Sequence, residues 1–287
     1  MDQFLIGNIL VQTDYAGLPV LPEGNLRLFA HEGNWDGDRI VLNCSSEPLS
    51  PYLTSPLTEE NHVYGIYTHE GQHCVVYHWG NLFHGFAVWP ERFAVIMDPR
   101  MYQQPPLRMD WFFSVCGFHR QLLIRDACVL HASYVDIGGQ AILFTGPSNI
   151  GKSTQANLWS QFEGAEVING DRAVLRKIDG KWHVFGYPCC GTSGICINRN
   201  LPLRAIVVLN QANENTVQQL TPASKIRALT AAMELYPWDG TEVDMAFHIA
   251  AEIASQVPVL KLSCRPDREA VDVLKKYLEE DAGDNLI

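Results

Sequence analysis

The stretch that decides the fold runs from Ala141 to Trp159 and reads AILFTGPSNIGKSTQANLW. It opens with an apolar, β-branched run that ends at Thr145, which is typical of a buried strand. The segment GPSNIGKS then follows from Gly146 to Ser153 and fits the pattern G-x-x-x-x-G-K-[ST]. The residues after it can form a helix. Strand, loop and helix are the context that a phosphate-binding loop requires.

Glycines at both ends of such a loop let backbone N–H groups turn toward a bound phosphate. The positive end of the following helix strengthens the anion site. We expect Lys152 to reach the outer phosphates and the Ser153 hydroxyl to hold Mg²⁺. The alternative is an inert, glycine-rich connection between a strand and a helix. The residues predicted to bind the nucleotide are Gly146, Ser148, Asn149, Ile150, Gly151, Lys152, Ser153 and Thr154.

The composition is that of an ordinary globular protein, with 287 residues, 47% hydrophobic and 18% charged. A net charge of −11 argues against nucleic-acid binding, which needs basic patches. No apolar run is long enough to span a membrane, and the first residues lack the basic start of a signal peptide. We therefore expect a cytoplasmic protein without a membrane partner. The oligomeric state stays open, with a homo-oligomer among the alternatives.

The cysteines are scattered through apolar runs, which favours reduced, buried thiols over a disulfide framework. Cys189 and Cys190 are adjacent, so they cannot supply the spaced ligands of a structural zinc site. We expect this pair to pack or to line a pocket. Metal binding and redox sensing are the alternatives.

Two domains are predicted, a β-rich N-terminal region over residues 1–105 and a second domain over residues 106–287. The first region reads as short antiparallel strands rich in Val, Ile and aromatic residues, including a hairpin over residues 69–72. A proline-rich joint at residues 99–106 marks the boundary. One helix is predicted after it, over residues 107–125, because apolar residues recur there at intervals of three and four residues.

The second domain alternates strands and helices, which indicates an α/β core. A strand over residues 127–137 and a turn at Gly138-Gly139 precede the strand that enters the loop. A hairpin is predicted around Asp179-Gly180. The segment 186–200 is rich in Gly and Pro and has neither the periodicity of a helix nor that of a strand. We therefore expect it to be a functional loop that sets specificity. Later strands are predicted at residues 204–210 and 257–263, and helices at residues 222–235, 243–256 and 267–279.

Phosphoryl transfer needs a metal-binding carboxylate and a group that receives or positions the acceptor hydroxyl. Asp171 follows the strand after the loop helix, so it is the candidate for both roles, unless it is a turn aspartate paired with Arg172. His131 is a second candidate, because the hairpin at Gly138-Gly139 places its strand beside the loop strand. A lone histidine in an apolar run is otherwise a core residue. Arg265 is either a phosphate ligand or a surface arginine after a strand.

Three segments together resemble the HPr kinase/phosphorylase family, which is related to ATP-dependent phosphoenolpyruvate carboxykinase. They are LHASYV at residues 130–135, the loop, and NGDR at residues 169–172. The segment VPVLKLSCRP at residues 257–266 is similar to a late strand and Arg-Pro turn of that family. The resemblance implies a mixed-sheet P-loop kinase core, with ATP and Mg²⁺ as cofactors. It also implies Lys152 on the phosphates, Ser153 on Mg²⁺, and Asp171 with His131 at the attacking hydroxyl.

One departure stands out, because the family carries a pair of aspartates where this chain has Gly170 and Asp171. The β-rich start and the loop GYPCCGTSG are similar to HPr-kinase-like proteins encoded with ribosomally made peptides, which phosphorylate a serine of a precursor peptide. The resemblance implies a serine kinase that acts on a peptide or protein. A nucleotide-dependent regulatory or peptide-binding module and a small-molecule kinase are the alternatives.

Overall fold

The computed structural model describes residues 2–15, 18, 20–21, 24–54 and 57–284. The chain divides into two compact units, residues 1–122 and residues 123–287. This division lies later than the boundary predicted at residues 105 and 106. The segment between the two positions packs within the first unit: the rings of Phe4 and Phe113 are 6.3 Å apart, and Gln121 Nε2 donates to Pro90 O at 3.0 Å.

Among the described residues, the strands of the first unit are β1 (Asp2–Ile6), β2 (Ile9–Thr13), β3 (Val20–Leu21), β4 (Arg39–Ser46), β5 (Leu57–Glu60), β6 (Tyr64–His69), β7 (Gln72–Trp79), β8 (Leu82–Trp89), β9 (Ala94–Met97) and β10 (Leu107–Arg108). Eight of them form one sheet in the order β1-β2-β4-β9-β8-β7-β6-β5, and β10 pairs with β3. Glu70 and Gly71 form the predicted turn between β6 and β7, with φ of 51° and 78°.

The prediction of a purely antiparallel N-terminal region is wrong in one respect. β4 runs parallel to both of its neighbours, β2 and β9. Parallel strands cannot be joined by a tight turn, so the chain crosses over through longer connections on either side of β4. The sheet is therefore mixed, and strand composition alone does not reveal which neighbours are parallel.

The helix predicted over residues 107–125 is two short helices, α1 (Met109–Val115) and α2 (Phe118–Leu123). The break falls at Gly117, which has a φ of +84° and cannot continue a right-handed helix in that conformation. A Cβ on Gly117 would lie 3.0 Å from Pro90 Cα, so the close approach of the two backbones also requires glycine. Apolar side chains keep their spacing of three and four residues across Gly117, so the sequence does not reveal the break.

The second unit contains β11 (Cys128–Ile137), β12 (Gln140–Thr145), α3 (Lys152–Glu163), β13 (Glu166–Asn169), β14 (Arg172–Ile178), β15 (Lys181–Phe185), β16 (Asn200–Gln211), β17 (Thr216–Gln219), α4 (Pro222–Ala232), α5 (Gly240–Gln256), β18 (Val259–Cys264) and α6 (Arg268–Asp284). Each strand and helix predicted here has its counterpart, whereas the largely exposed strand β17 was not predicted. No helix in the described part of the chain is long and apolar enough to cross a membrane.

The sheet of the second unit is mixed and partly closed. Its order is β12-β11-β14-β15-β16-β18-β17, with β13 paired to β11 and β12 paired in addition to β16. β16 pairs with β15 through its first residues and runs parallel to β12 through the following ones. The pairings of β12, β11, β14, β15 and β16 therefore form a ring. The strand that precedes the loop has a neighbour on each side.

β12 is buried on both faces. Ala141 and Leu143 belong to a core that includes side chains of α4 and α5, such as Leu229 and Ile253. Ile142 and Phe144 point to the opposite core, which includes side chains of α3 and α6: Trp159 and Leu274. The alternation follows the period of two that a strand imposes. Two cores and two neighbouring strands thus fix the end of β12, where the loop starts.

Candidate active site

The loop between β12 and α3 has a backbone that requires glycine at its ends. Gly146, Asn149 and Gly151 have φ of 139°, 64° and 112°. A Cβ on Gly146 would also lie 3.2 Å from Ile150 Cγ2. Gly151 is the N-cap of α3 and offers no side chain to its N–H groups. An anion can therefore accept hydrogen bonds from the first turn of the helix.

Lys152 lies folded into the loop. Its side chain is buried, with 8% of the residue exposed, and Nζ donates to Gly146 O at 3.0 Å and Pro147 O at 3.2 Å. Burial lowers the pKa of Lys152, and the nearby charge of Asp171 opposes that shift. The ammonium is thus a partly desolvated charge whose described hydrogen-bond partners are neutral carbonyls.

The turn that carries Asp171 is fixed by Asn169 at the end of β13. Asn169 is fully buried, and its Oδ1 accepts from the backbone N–H of Asp171 at 2.9 Å and of Arg172 at 3.0 Å. Its Nδ2 donates to Tyr187 O at 2.8 Å. This side-chain turn is a local feature that Asn forms readily. It orients the carboxylate at the strand end.

Asp171 lies between a histidine and an arginine. His131 Nε2 donates to Asp171 Oδ1 at 2.8 Å, and Arg172 Nη1 donates to Oδ2 at 2.8 Å. Burial alone would raise the pKa of Asp171, but the hydrogen bond from His131 and the charges of Arg172 and Lys152 lower it below its usual value. The carboxylate is therefore ionised at neutral pH. The structure brings His131 and Asp171 together because β11 pairs with β14 at this position.

Ser153 lies beside the same strand end. Its hydroxyl donates to Gly170 O at 3.3 Å, and the buried Ser133 hydroxyl donates to the same carbonyl at 2.9 Å. Ser153, Gly170 and Asp171 line one cavity, so a hydroxyl, a carbonyl and a carboxylate are available there. Oxygen donors of these kinds are the ligands that Mg²⁺ prefers. The donor set of Ser153 and Asp171 fits that ion.

Arg172 is held by partners that the sequence did not reveal. Its Nε pairs with Glu234 Oε1, and its Nη1 also donates to Cys189 Sγ at 3.0 Å. Burial alone would lower the pKa of Arg172, but the negative charge of Glu234 and the neighbouring groups raise it. Glu234 follows α4 and lies far from Arg172 in sequence, and no local motif marks it. Arg172 therefore orients Asp171 from a fixed position.

The predicted functional loop between β15 and β16 packs against this site. A Cβ on Gly170 would overlap the Ser193 side chain, and a Cβ on Gly191 would lie 2.8 Å from Asp171 Cγ. Gly170 stands where the HPr kinase/phosphorylase pattern that the sequence resembles has an aspartate, and in this structure the position has no room for a side chain beside Ser193. Ser193 was missed by the sequence reasoning, because its contact with Gly170 joins two irregular segments.

Two cavities border the loop. The first, of about 500 Å³, is lined by Gly170 and by His131, Ser148, Asn149, Gly151, Lys152, Ser153, Thr154, Asp171, Cys190, Gly191, Thr192 and Ser193. It brings together most of the predicted site residues and includes one cysteine of the adjacent pair. The second, of about 410 Å³, is lined by Ile150 and Gln155, and by residues after β16 and β18. Gly146 lines neither cavity. The eight cysteines, all within the described residues, form no disulfide.

Arg265 is held away from the first cavity by its own network. Its guanidinium donates to Asp267 Oδ2 at 2.8 Å, to Asn213 O at 2.6 Å and to Glu269 Oε2 at 2.7 Å. These contacts tie the end of β18 to the first turn of α6. These contacts favour the prediction that Arg265 is a surface arginine after a strand over the prediction that it binds the transferred phosphate. Arg265 does line the second cavity.

Comparison with known proteins adds one weak structural similarity to this description of the site. No protein-family model matches the sequence, and no curated protein matches it. Among solved structures, the Hpr(Ser) kinase/phosphatase from Coxiella burnetii is similar, with a TM-score of 0.32 and 12% sequence identity. The match covers 55% of this chain and 94% of that one. At this TM-score the similarity settles neither the family nor the activity of the chain.

Proposed function

We propose that this protein is an ATP- and Mg²⁺-dependent kinase that transfers the γ-phosphate to a hydroxyl, with a serine of a peptide or protein as the acceptor. The observation that carries the proposal is the first cavity. There, a glycine-rich loop with a buried lysine faces an ionised carboxylate that a histidine and an arginine orient. A lysine, a magnesium-binding hydroxyl and a carboxylate at the acceptor are the parts that phosphoryl transfer needs.

In this mechanism the loop N–H groups and Lys152 bind the phosphates and favour the negative charge that develops during transfer. Bound Mg²⁺ would be held by Ser153 and Asp171, and it supplies charge neutralisation for the phosphate oxygens. Asp171 receives the proton of the acceptor hydroxyl, and His131 keeps the carboxylate in one orientation. The two cavities meet at Asn149, Gly151 and Thr154, which line both of them.

The three residues that line both cavities support one placement of the nucleotide across them. The second cavity has apolar as well as polar walls, which include Ile150 and Pro266, and it contains no carboxylate–histidine pair. The phosphates would cross the loop toward Lys152, while the nucleoside would occupy the second cavity. The acceptor would then enter the first cavity beside Asp171.

The test is release of ADP from ATP and Mg²⁺ in the presence of serine-containing peptides, HPr or free serine. We expect one peptide or protein acceptor to raise turnover, and Lys152→Ala and Asp171→Asn to abolish the increase. Asp179→Asn is the matched control, because Asp179 is an exposed aspartate at the far end of the same strand, in the β14–β15 turn. It should leave turnover unchanged.

Three other outcomes would lead to different conclusions. Stimulation by free serine alone would indicate a small-molecule kinase. Binding of ATP without stimulation by any acceptor, together with no effect of Asp171→Asn, would indicate a nucleotide-dependent binding module. Equal loss of activity in Asp179→Asn and Asp171→Asn would remove the special role assigned to Asp171.

A further inference from the structure

Ser193 is a hydroxyl at the proposed site that the mechanism above leaves without a role. It lies so close to Gly170 that any side chain on that residue would overlap it. Gly170 O in turn accepts from the hydroxyl of Ser153, the proposed magnesium ligand. Ser193 also lines the first cavity with Lys152 and Asp171. A serine hydroxyl of this protein therefore lies where the proposed acceptor serine would have to enter.

The loop that carries Ser193 holds it at the surface of the cavity. The residue is exposed, and its hydroxyl donates to Cys190 O at 2.7 Å and accepts from Ile195 N–H at 3.3 Å. Gly191 and Gly194 flank it with φ of 58° and 67°. The described partners of the hydroxyl all belong to its own short turn. A change of its χ1 angle therefore breaks only these two described hydrogen bonds within the turn and frees the hydroxyl for the cavity that Ser193 lines.

We propose that Ser193 is a self-phosphorylation site, an inference that depends on the proposed kinase function. Ser193 Oγ forms a bond to the γ-phosphorus of ATP, and the bond from that phosphorus to the β–γ bridging oxygen breaks. ADP leaves with the electron pair. The hydroxyl proton passes to the Asp171 carboxylate and from there to solvent. Asp171 lies beside this turn, because a Cβ on Gly191 would lie 2.8 Å from Asp171 Cγ.

Phosphorylation would also alter the first cavity. A phosphoserine carries close to two negative charges and three acceptor oxygens. On Ser193 it would occupy the space beside Gly170 and place negative charge next to Asp171. Transfer to an external acceptor would therefore become slower in the modified protein, because acceptor and phosphoserine compete for one volume.

The experiment incubates the full chain with ATP and Mg²⁺ without an acceptor, and follows intact mass and phosphopeptides by mass spectrometry. We expect one added phosphoryl group on Ser193, at a rate constant independent of protein concentration, as intramolecular transfer requires. Ser193→Ala should reduce incorporation to the level of Lys152→Ala. Ser255→Ala is the matched control, because it removes an exposed serine hydroxyl near the end of α5 that lines neither of the two cavities, and it should keep the incorporation.

The failures of the two proposals are distinguishable. Acceptor-stimulated ADP release without phosphate on Ser193 would overturn self-phosphorylation and leave the kinase proposal in place. Phosphate on Thr192 or on another residue, or retention of incorporation in Ser193→Ala, would equally overturn it. If the protein neither binds ATP nor releases ADP under any condition, the proposed function fails, and this inference fails with it.

Discussion

Replacing Lys152 by methionine separates the proposed phosphate-binding role of this side chain from its effect on folding. Lys152 is 8% exposed, and two loop carbonyls accept from its ammonium. Burial lowers its pKa, so the folded state disfavours the charged form that is present at neutral pH. Methionine has a similar length, carries no charge and packs readily in apolar surroundings.

Two opposing effects determine how Lys152→Met changes the free energy of unfolding of the nucleotide-free protein. Loss of the two hydrogen bonds to the charged group destabilises the fold by about 1–3 kcal/mol each in a fully buried site. The loss is smaller here, because Gly146 is half-buried and Pro147 is exposed. Removal of a desolvated charge stabilises by a similar amount. We expect the free energy of unfolding of the free protein to stay within about 1 kcal/mol of the native value.

The nucleotide-bound protein should behave differently. ATP at a concentration of about 100 times its Kd stabilises the folded state by about 2.7 kcal/mol. For a unit of this size that corresponds to an increase of about 5–10 °C in Tm. Lys152→Met should lose this increase while its Tm without ATP stays close to the native value. Both values are measured by thermal unfolding with and without ATP and Mg²⁺.

A matched control removes a lysine from outside the loop. Lys275→Met breaks the ion pair with Glu163, whose Nζ–Oε2 distance is 2.6 Å, and should keep the full increase with ATP. If Lys152→Met also keeps it, the loop does not bind phosphate through this lysine. If Lys152→Met unfolds far more easily than the native protein without ATP, the lysine stabilises the fold and our assignment of its burial cost is wrong.

Three further predictions test the site and the fold. Gly146→Ala should weaken ATP binding and destabilise the protein by about 1–2 kcal/mol, because φ is 139° and the new Cβ meets Ile150; calorimetry and thermal unfolding measure the two effects. Asp171→Asn should reduce kcat about 10²- to 10⁴-fold with ATP still bound, which a single-turnover assay checks. Asp98→Asn should lower the free energy of unfolding by about 1–2 kcal/mol at pH 7, because hydrogen bonds from Arg100 lower the pKa of Asp98. That difference should shrink as pH falls through the folded-state pKa, below the ordinary value of 3.8, and urea titrations at several pH values would show it.

The parts of the site that could be predicted are those that local sequence determines. The loop between β12 and α3 has its own pattern, and two of its three positive φ angles fall on the glycines that define it, the third on Asn149. The hairpin at Gly138-Gly139 brings β11 next to β12, which places His131 near the loop whatever the rest of the chain does. The Asp179-Gly180 turn is likewise set by its two residues.

The parts that could not be predicted depend on contacts between distant segments. Glu234 reaches Arg172 from a loop after α4, and Ser193 reaches Gly170 from an irregular loop. Neither contact has a sequence period, because Glu234 lies outside any helix or strand and Ser193 ends a single 3-10 turn over residues 191–193. The break at Gly117 was missed for the opposite reason, since a strong apolar period continued through it.

The ring of strands in the second unit has a consequence for how the protein is made. β12 pairs early with β11, but its other neighbour is β16, whose paired residues Leu203 to Val208 follow it by about 60 residues in sequence. A growing chain therefore reaches the loop long before the strand that closes the ring has been synthesised. Pairing between such distant segments is slow and leaves strand edges exposed in the meantime. We expect ribosome-bound chains that end before β16 to bind no nucleotide, and the capacity to appear only once that strand has left the ribosome.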